Sequence, residues 1–301
     1  MAVSWPLSLP RNYRPAPSPL HQAVLDDDVA EVQKLLANGT SADESGFQHE
    51  RPLHLARSRE MVDLLVKAGG SVNVVTDYGD TPLHYACARG FESAIQAMLD
   101  HGANVNAANA PGEPPLVWAM RSDWDGDDPF SQLLPSRPVH KDTLALVELL
   151  IGRGTNVNSR GTGGLTPLME GTISMWFHRD PQQLDVARRL LDAGADVNAV
   201  TSDGDTALHE AVRTEPALVQ LLLDSGAKVN VAEWQGRTPL MVAVDGQADA
   251  QTIRLLLDHG ARLDLRDRQG RRAIDMTTTP EIARILADHA GPASTSVPAG
   301  P

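Results

Sequence analysis

One interval in this chain does not vary. From each glycine that closes an apolar helical run to the second residue of the next short motif, the count is always 13: Gly39 to Pro52, Gly69 to Pro82, Gly102 to Pro115, Gly154 to Pro167, Gly194 to Ala207, Gly226 to Pro239 and Gly260 to Ala273. The interval from motif to glycine within a unit does vary, running 20, 17, 20, 39, 27, 19 and 21 residues along the chain. A connector that sets the spacing of stacked units cannot change length, whereas a loop at a unit's free end can lengthen without moving its neighbours. The chain is therefore a stack of repeats.

The motifs are SPLHQA at Ser18, RPLHLA at Arg51, TPLHYA at Thr81, PPLVWA at Pro114, TPLMEG at Thr166, TALHEA at Thr206, TPLMVA at Thr238 and a degraded RAIDMT at Arg272. Each opens a helix: Thr or Ser at the first place is a capping residue, and Pro at the first helical position loses no hydrogen bond. Apolar runs such as IQAMLDHG, VQLLLDSG and IRLLLDHG form a second helix, and most run on into VN. The closing glycine supplies a left-handed end to that helix, and a second glycine, as in DYGD, APGE, SDGD, WQGR and RQGR, a turn before the next motif. Helix pairs this small cannot bury their apolar faces alone, so they stack.

The stretch TPLHYACARGFESAIQAMLDHGANVNAANAPGE, Thr81 to Glu113, resembles an ankyrin repeat. The resemblance extends from Ser18 to Gly291 and implies an all-α solenoid of about eight helix-turn-helix units with β-turn fingers. Irregular insertions fall in units 4 and 5. It also implies a concave groove that binds other proteins. Residues 1–17, rich in Pro and Ser, and the tail 292–301 are expected to be flexible, flanking a repeat domain over 18–291.

Composition narrows the partners. Against 39 Asp and Glu stand 26 Lys and Arg, a net charge of −13 that repels nucleic acid and anionic membranes. A single cysteine, Cys87, excludes an internal disulfide framework and fits a reducing compartment, the cytoplasm. The amino terminus has no early positive charge, its apolar run is cut by Pro6 and Pro10, and no secretion signal is expected.

Catalytic and metal motifs find little support. His21, His54, His84 and His209 recur at one place in the unit, whole repeats apart, with no carboxylate or cysteine at ligand spacing. They are expected to hydrogen-bond a motif to the neighbouring finger. Cys87 near His84 reads as small-residue packing beside Ala86 and Ala88, since no oxyanion motif or third group accompanies it. No enzyme activity and no cofactor are expected. Asp123, Asp125, Asp127 and Asp128 open like a calcium loop, but the required glycine place is Asp128 and no closing glutamate follows.

The aromatic residues are few, 5 Trp, 3 Tyr and 4 Phe, and they concentrate in the fourth and fifth units. Aromatics anchor interfaces, and insertions in repeats tend to map to one face. Candidate partner-binding residues are Tyr78, Tyr85, Trp118, Trp124, Phe130, Trp176 and Trp234, with Arg121 to Val139 as an added element at the rim. Asp26, Asp27 and Asp28 in the first inter-helix loop steer a basic partner, whereas Arg266, Arg268, Arg271 and Arg272 make the last finger basic. The expected function is a protein-binding scaffold or adaptor. Its alternatives are an inhibitor or immunity-type protein occluding a basic enzyme or toxin, and a calcium-responsive module built on Asp123–Asp128.

Overall fold

The computed structural model describes residues 16–120, 142–173 and 182–290. Contacts divide the chain into two compact units, one of residues 1–119 with 124–142 and one of 120–123 with 143–301. The division falls inside the fourth repeat.

The first unit holds α1 (Pro19–Leu25), α2 (Val29–Ala37), α3 (Pro52–Leu55), α4 (Arg59–Lys67), α5 (Pro82–Arg89), α6 (Glu92–Asp100) and α7 (Pro115–Met120). In the second are α8 (Thr143–Gly152), α9 (Pro167–Ile173), α10 (Gln183–Asp192), α11 (Ala207–Ala211), α12 (Pro216–Asp224), α13 (Pro239–Asp245), α14 (Ala250–Asp258), α15 (Ala273–Met276) and α16 (Pro280–Ala290). No strand occurs among the described residues. Inner helices pack on inner helices, α1 on α3 on α5 and α9 on α11 on α13 on α15. Outer helices do likewise, α2 on α4 on α6 and α8 on α10 on α12 on α14 on α16. The two long intervals lie in the chain between an inner and an outer helix, α7 to α8 and α9 to α10.

The core follows from the motif. Its third-place leucines, Leu20, Leu53, Leu83, Leu116, Leu168, Leu208 and Leu240, are buried to 0% or 1% exposure. Burying one such side chain contributes about 2 kcal/mol. At each helix-closing glycine the chain turns left-handed: at Gly102, φ is 84°, with Ala103 N–H donating to Met98 O at 2.9 Å and Gly102 N–H to Leu99 O at 3.1 Å.

Capping differs from the expected pattern at Thr81 and Thr206, whereas the Ser18 hydroxyl accepts His21 N–H at 3.3 Å as expected. Thr238 and Thr166 accept the backbone N–H of Met241 and Met169 at 3.4 Å through their hydroxyls. Thr81 and Thr206 instead turn their hydroxyls to Nδ1 of His84 and His209, at 2.8 and 2.9 Å. The same Nδ1 accepts the threonine's own backbone N–H, at 3.0 and 3.1 Å, so the ring takes the place of the usual Glu in a capping box.

The far side of each ring explains why histidine recurs. Nε2–H of His54, His84 and His209 donates to the carbonyl of Asp80, Glu113 and Arg237, at 3.0, 3.0 and 3.2 Å. All three carbonyls hold one place, the last residue of the next finger. A carbonyl only accepts, so Nε2 carries the proton and Nδ1 is left as acceptor. The ring is thus neutral, as expected of a tie between motif and finger. Burial lowers the pKa of His54 and His84 to about 4 and also depresses that of His209.

A second tie explains the recurring VN. Asn73, Asn158, Asn198 and Asn230 each donate from Nδ2 to the helix-closing glycine of the next repeat, Gly102, Gly194, Gly226 and Gly260, at 2.9 to 3.0 Å. Each also accepts, through Oδ1, the backbone N–H two residues beyond that glycine, at 2.7 to 2.9 Å. In the first repeat Asp43 stands there and makes only the accepting bond, from Ser71 N–H at 3.1 Å.

Two outcomes test these ties. Asn198→Ala removes both bonds to the next repeat and is expected to lower unfolding free energy in urea by about 1–2 kcal/mol, with Asn198→Asp losing less because it keeps the acceptor. For the histidines, the unfolded rings take up a proton near pH 6.5 while the folded rings resist to about pH 4. Stability is therefore complete above roughly pH 7 and falls on acidification from 6.5 toward 4, by up to about 3 kcal/mol per ring. His84→Met, the residue at this place in two other repeats, should flatten that fall in urea titrations at stepped pH; an unchanged slope would count against it.

Candidate protein-binding surface

Each finger is a five-residue loop closed by a bond from the N–H of its first residue to the carbonyl of its fifth: Thr76 to Asp80 at 3.0 Å, Asn109 to Glu113 at 3.2 Å, Thr201 to Asp205 at 2.9 Å, Glu233 to Arg237 at 3.0 Å and Asp267 to Arg271 at 3.0 Å. The first side chain turns inward and braces the loop. Asp267 Oδ1, for example, accepts the N–H groups of Gln269 and Arg271 at 2.9 and 2.8 Å.

Neighbouring fingers are linked by one backbone bond, second residue to the third residue of the preceding finger. In the first unit these are Asp77 to Gln48 at 3.0 Å and Ala110 to Tyr78 at 2.8 Å. In the second they are Ser202 to Gly163 at 2.8 Å, Trp234 to Asp203 at 2.7 Å and Arg268 to Gln235 at 2.8 Å. The link explains the fourth-place glycine: at Gly79, φ is 79° and an added Cβ would stand 2.9 Å from Ala110 N.

Because the first finger residue points inward, its two neighbours point outward, and the apolar side chains placed there are left in solvent. Among the described residues the exposed large hydrophobics are Val75, Tyr78, Val200 and Trp234, all on a finger or one residue before it, at 50%, 50%, 40% and 54% exposure. Tyr78 and Trp234 were expected from the sequence. Val75 and Val200 were not, although VVTDYGD and AVTSDGD place a valine identically before two alike fingers.

Tyr85 and Trp118 belong elsewhere. Their exposure is 5% and 3%, and they form an edge-on row on the inner helices of the first unit. Ring centroids lie 5.4 Å apart for His54 and Tyr85, 5.7 Å for Tyr85 and Trp118, and 5.2 Å for His84 and Trp118. Trp118 Nε1–H donates to Glu113 Oε2 at 3.3 Å. Both rings pack repeat against repeat and present no face to a partner. Cys87 is likewise buried, as expected. Trp124, Phe130, Trp176, the rim element 121–139 and the Asp123–Asp128 cluster lie outside the described residues.

Many charges expected to steer partners are held within the fold. Asp28 caps α2 by accepting Glu31 N–H at 3.0 Å, Asp27 accepts the Ser58 hydroxyl at 2.8 Å, and Asp26 takes the Gln22 amide at 3.0 Å. In the last finger Arg271 pairs with Asp267 at 2.9 Å and Arg272 with Asp275 at 3.0 Å. Arg266 and Arg268 remain exposed.

At the inner edge of the second unit one carboxylate is strained. Asp80 and Asp205 hold the same finger place, as do Asn109 and Glu233 one finger later. Asn109 Nδ2–H donates to Asp80 Oδ1 at 2.9 Å. Opposite Asp205 the amide is replaced by the Glu233 carboxylate. Burial, then the charges of Glu210 and Glu233, raise the Asp205 pKa to about 6.

Fold and surface together define a stacked helical-repeat protein that displays its apolar side chains on turn tips. The sequence model described as ankyrin repeats (3 copies) matches residues 20–109, 57–134, 138–233 and 174–267, and the chain belongs to the ankyrin repeat family. The chain is 30% identical over 239 residues to the mouse B-cell lymphoma 3 protein homolog, covering 75% of this chain and 48% of that protein. It is 32% identical over 197 residues to the E3 ubiquitin-protein ligase KEG of Arabidopsis thaliana, covering 65% of this chain and 9% of that protein. It thus spans half or less of these relatives. The crystal structure of the Bcl-3 ankyrin repeat domain superposes with a TM-score of 0.61 at 28% identity, over 80% of this chain and 98% of that one. The human ASB11 ankyrin repeat domain shares the fold, with a TM-score of 0.58 at 24% identity over 91% and 99%. Among the described residues no helix is long and apolar enough to cross a membrane, and no group of three or more metal-ligating side chains assembles.

Asp205→Asn gives a test of the strained carboxylate. An acid whose folded pKa is raised is most favourable to folding at low pH and costs stability as pH rises through about 6. The variant is expected to melt higher than the parent at pH 7.5 and level with it at pH 4. A lower melting temperature at pH 7.5 would refute the assignment.

Proposed function

We propose that this chain is a protein-binding scaffold that engages a partner protein along its finger tips. One observation carries the reading: each exposed large hydrophobic among the described residues is on a finger or beside one, and none is on a helix. Exposed apolar side chains gathered on one feature mark an interaction site. Backbone links between fingers hold those side chains in place before binding, which limits the ordering cost of association. Membership of the ankyrin repeat family, whose members serve as protein-interaction modules, supports the same reading. The ligase activity named for the Arabidopsis relative is not carried over, since the match covers 9% of that protein.

No catalytic role is proposed, and the single buried cysteine suits a cytoplasmic setting. The inhibitor reading rests on an acidic groove, and it loses force where Glu233 is paired with Arg237 at 3.1 Å and Glu210 with Arg213 at 3.7 Å.

The test is capture of partners from the source cell's lysate by the full chain, compared with Trp234→Ala, Tyr78→Ala and an outer-helix control, Arg254→Ala. Truncating a contact aromatic is expected to lower partner affinity by about tenfold or more, with melting temperature within about 1 °C of the parent. Capture that survives both finger substitutions would overturn the reading.

A further inference from the structure

We propose that the last fingers of the second unit form a docking ridge for an acidic segment of the partner, with Trp234 receiving an apolar side chain and Arg266 and Arg268 receiving carboxylates. The inference rests on the finger-binding reading above and names the chemistry of its occupant.

The ridge is set by register. Buried Asp267 stands between Arg266 and Arg268, and buried Glu233 between Ala232 and Trp234. In an extended arm the residues on either side of an inward one share the outer face. Arg268 and Trp234 hold the second finger place, and Arg266 and Val200 the place before the first. The bonds from Trp234 N–H to Asp203 O at 2.7 Å and from Arg268 N–H to Gln235 O at 2.8 Å hold the three fingers side by side. Val200 and Arg266 on one side of the inward residues, and Trp234 and Arg268 on the other, therefore share one outward face. The exposed acid of the neighbouring tip, Asp203, sits one place further round its turn, off this face.

Charge identifies the occupant. Asp and Glu outnumber Lys and Arg in this chain by 39 to 26, and the nearby arginines are matched with acids. Arg237 pairs with Glu233 at 3.1 Å, Arg262 with Asp264 at 2.6 Å, Arg271 with Asp267 at 2.9 Å and Arg272 with Asp275 at 3.0 Å. Arg266 donates to the carbonyl of Gly270 at 2.6 Å and adds weakly to the field on Asp275, but neither Arg266 nor Arg268 forms an ion pair within 4 Å among the described residues. Two guanidinium groups beside an exposed indole leave bidentate donors and an apolar face for an outside ligand. A protein segment is favoured over nucleic acid because the chain's net charge of −13 opposes a polyanion that must approach its whole surface.

The experiment uses the full chain and fluorescence anisotropy of a short labelled peptide alternating Glu with Leu and Phe. Its twin with each Glu replaced by Lys, and a single-stranded oligonucleotide of equal charge, are run beside it. The acidic peptide is expected to bind at least about tenfold more tightly than either, and more weakly as salt rises to about 0.3 M. Arg266→Glu with Arg268→Glu should abolish the preference for acid, Trp234→Ala should weaken binding about tenfold, and Tyr78→Ala in the first unit should leave it unchanged. Equal binding of the Lys twin, tighter binding of the oligonucleotide, no measurable binding of the acidic peptide, or an acid preference that survives the double reversal overturns the proposal. Partner capture that is lost with Trp234→Ala yet kept with both arginines reversed would sink the acidic occupant alone and leave finger binding standing.

Discussion

The hydrogen bonds that register successive repeats run largely to backbone groups. The histidine rings donate to a finger carbonyl, the asparagine amides clasp a glycine carbonyl and an N–H two residues on, and finger joins finger by one N–H to carbonyl bond. A side chain that reads backbone atoms is indifferent to the identity of the neighbouring residue, but it demands that its own place and its partner's stay fixed within their connectors. That demand is the unvarying 13-residue connector. Side chains that face away from these ties are under no structural obligation, and they are the ones on the finger tips.

The same logic sorts the charges. A carboxylate at the first finger place is tied up twice, once bracing its own loop and once pairing with the arginine at the fifth, as in Glu233 with Arg237 and Asp267 with Arg271. The three aspartates after α1 are caps and loop ties. Net charge is therefore a poor guide to what a partner meets. In an acidic chain, the two exposed arginines of the last finger gain meaning because their neighbours are already paired.

Repeat number, helix order and the places where the two insertions fall were legible in the sequence, because each rests on spacing and on glycine and proline geometry. The role of His54, His84 and His209 was legible for a similar reason, since a residue recurring without ligand partners at a helix start has backbone groups in reach. The His21 side chain bonds within its own motif, to Ser18. The second role of the VN asparagine was visible as a pattern and opaque as chemistry, because its partners lie a whole repeat away. The fate of the aromatics was harder. Tyr85 and Trp118 are buried because consecutive repeats place aromatic rings at the same point, where they meet edge-on at 5.7 Å. Trp234 stays exposed because its place, second in the finger beside inward Glu233, is an outward one. Ring burial here belongs to a column of repeats, and a single motif does not reveal it.

That column view also separates the two units in character. At one finger place the first unit sets Asp80 against Asn109, a donor that satisfies it; the second sets Asp205 against Glu233, which cannot donate to it as a carboxylate. The exchange costs stability at neutral pH, where the raised pKa of Asp205 marks a carboxylate that burial and like charges disfavour. Fold maintenance alone favours the amide seen one unit earlier.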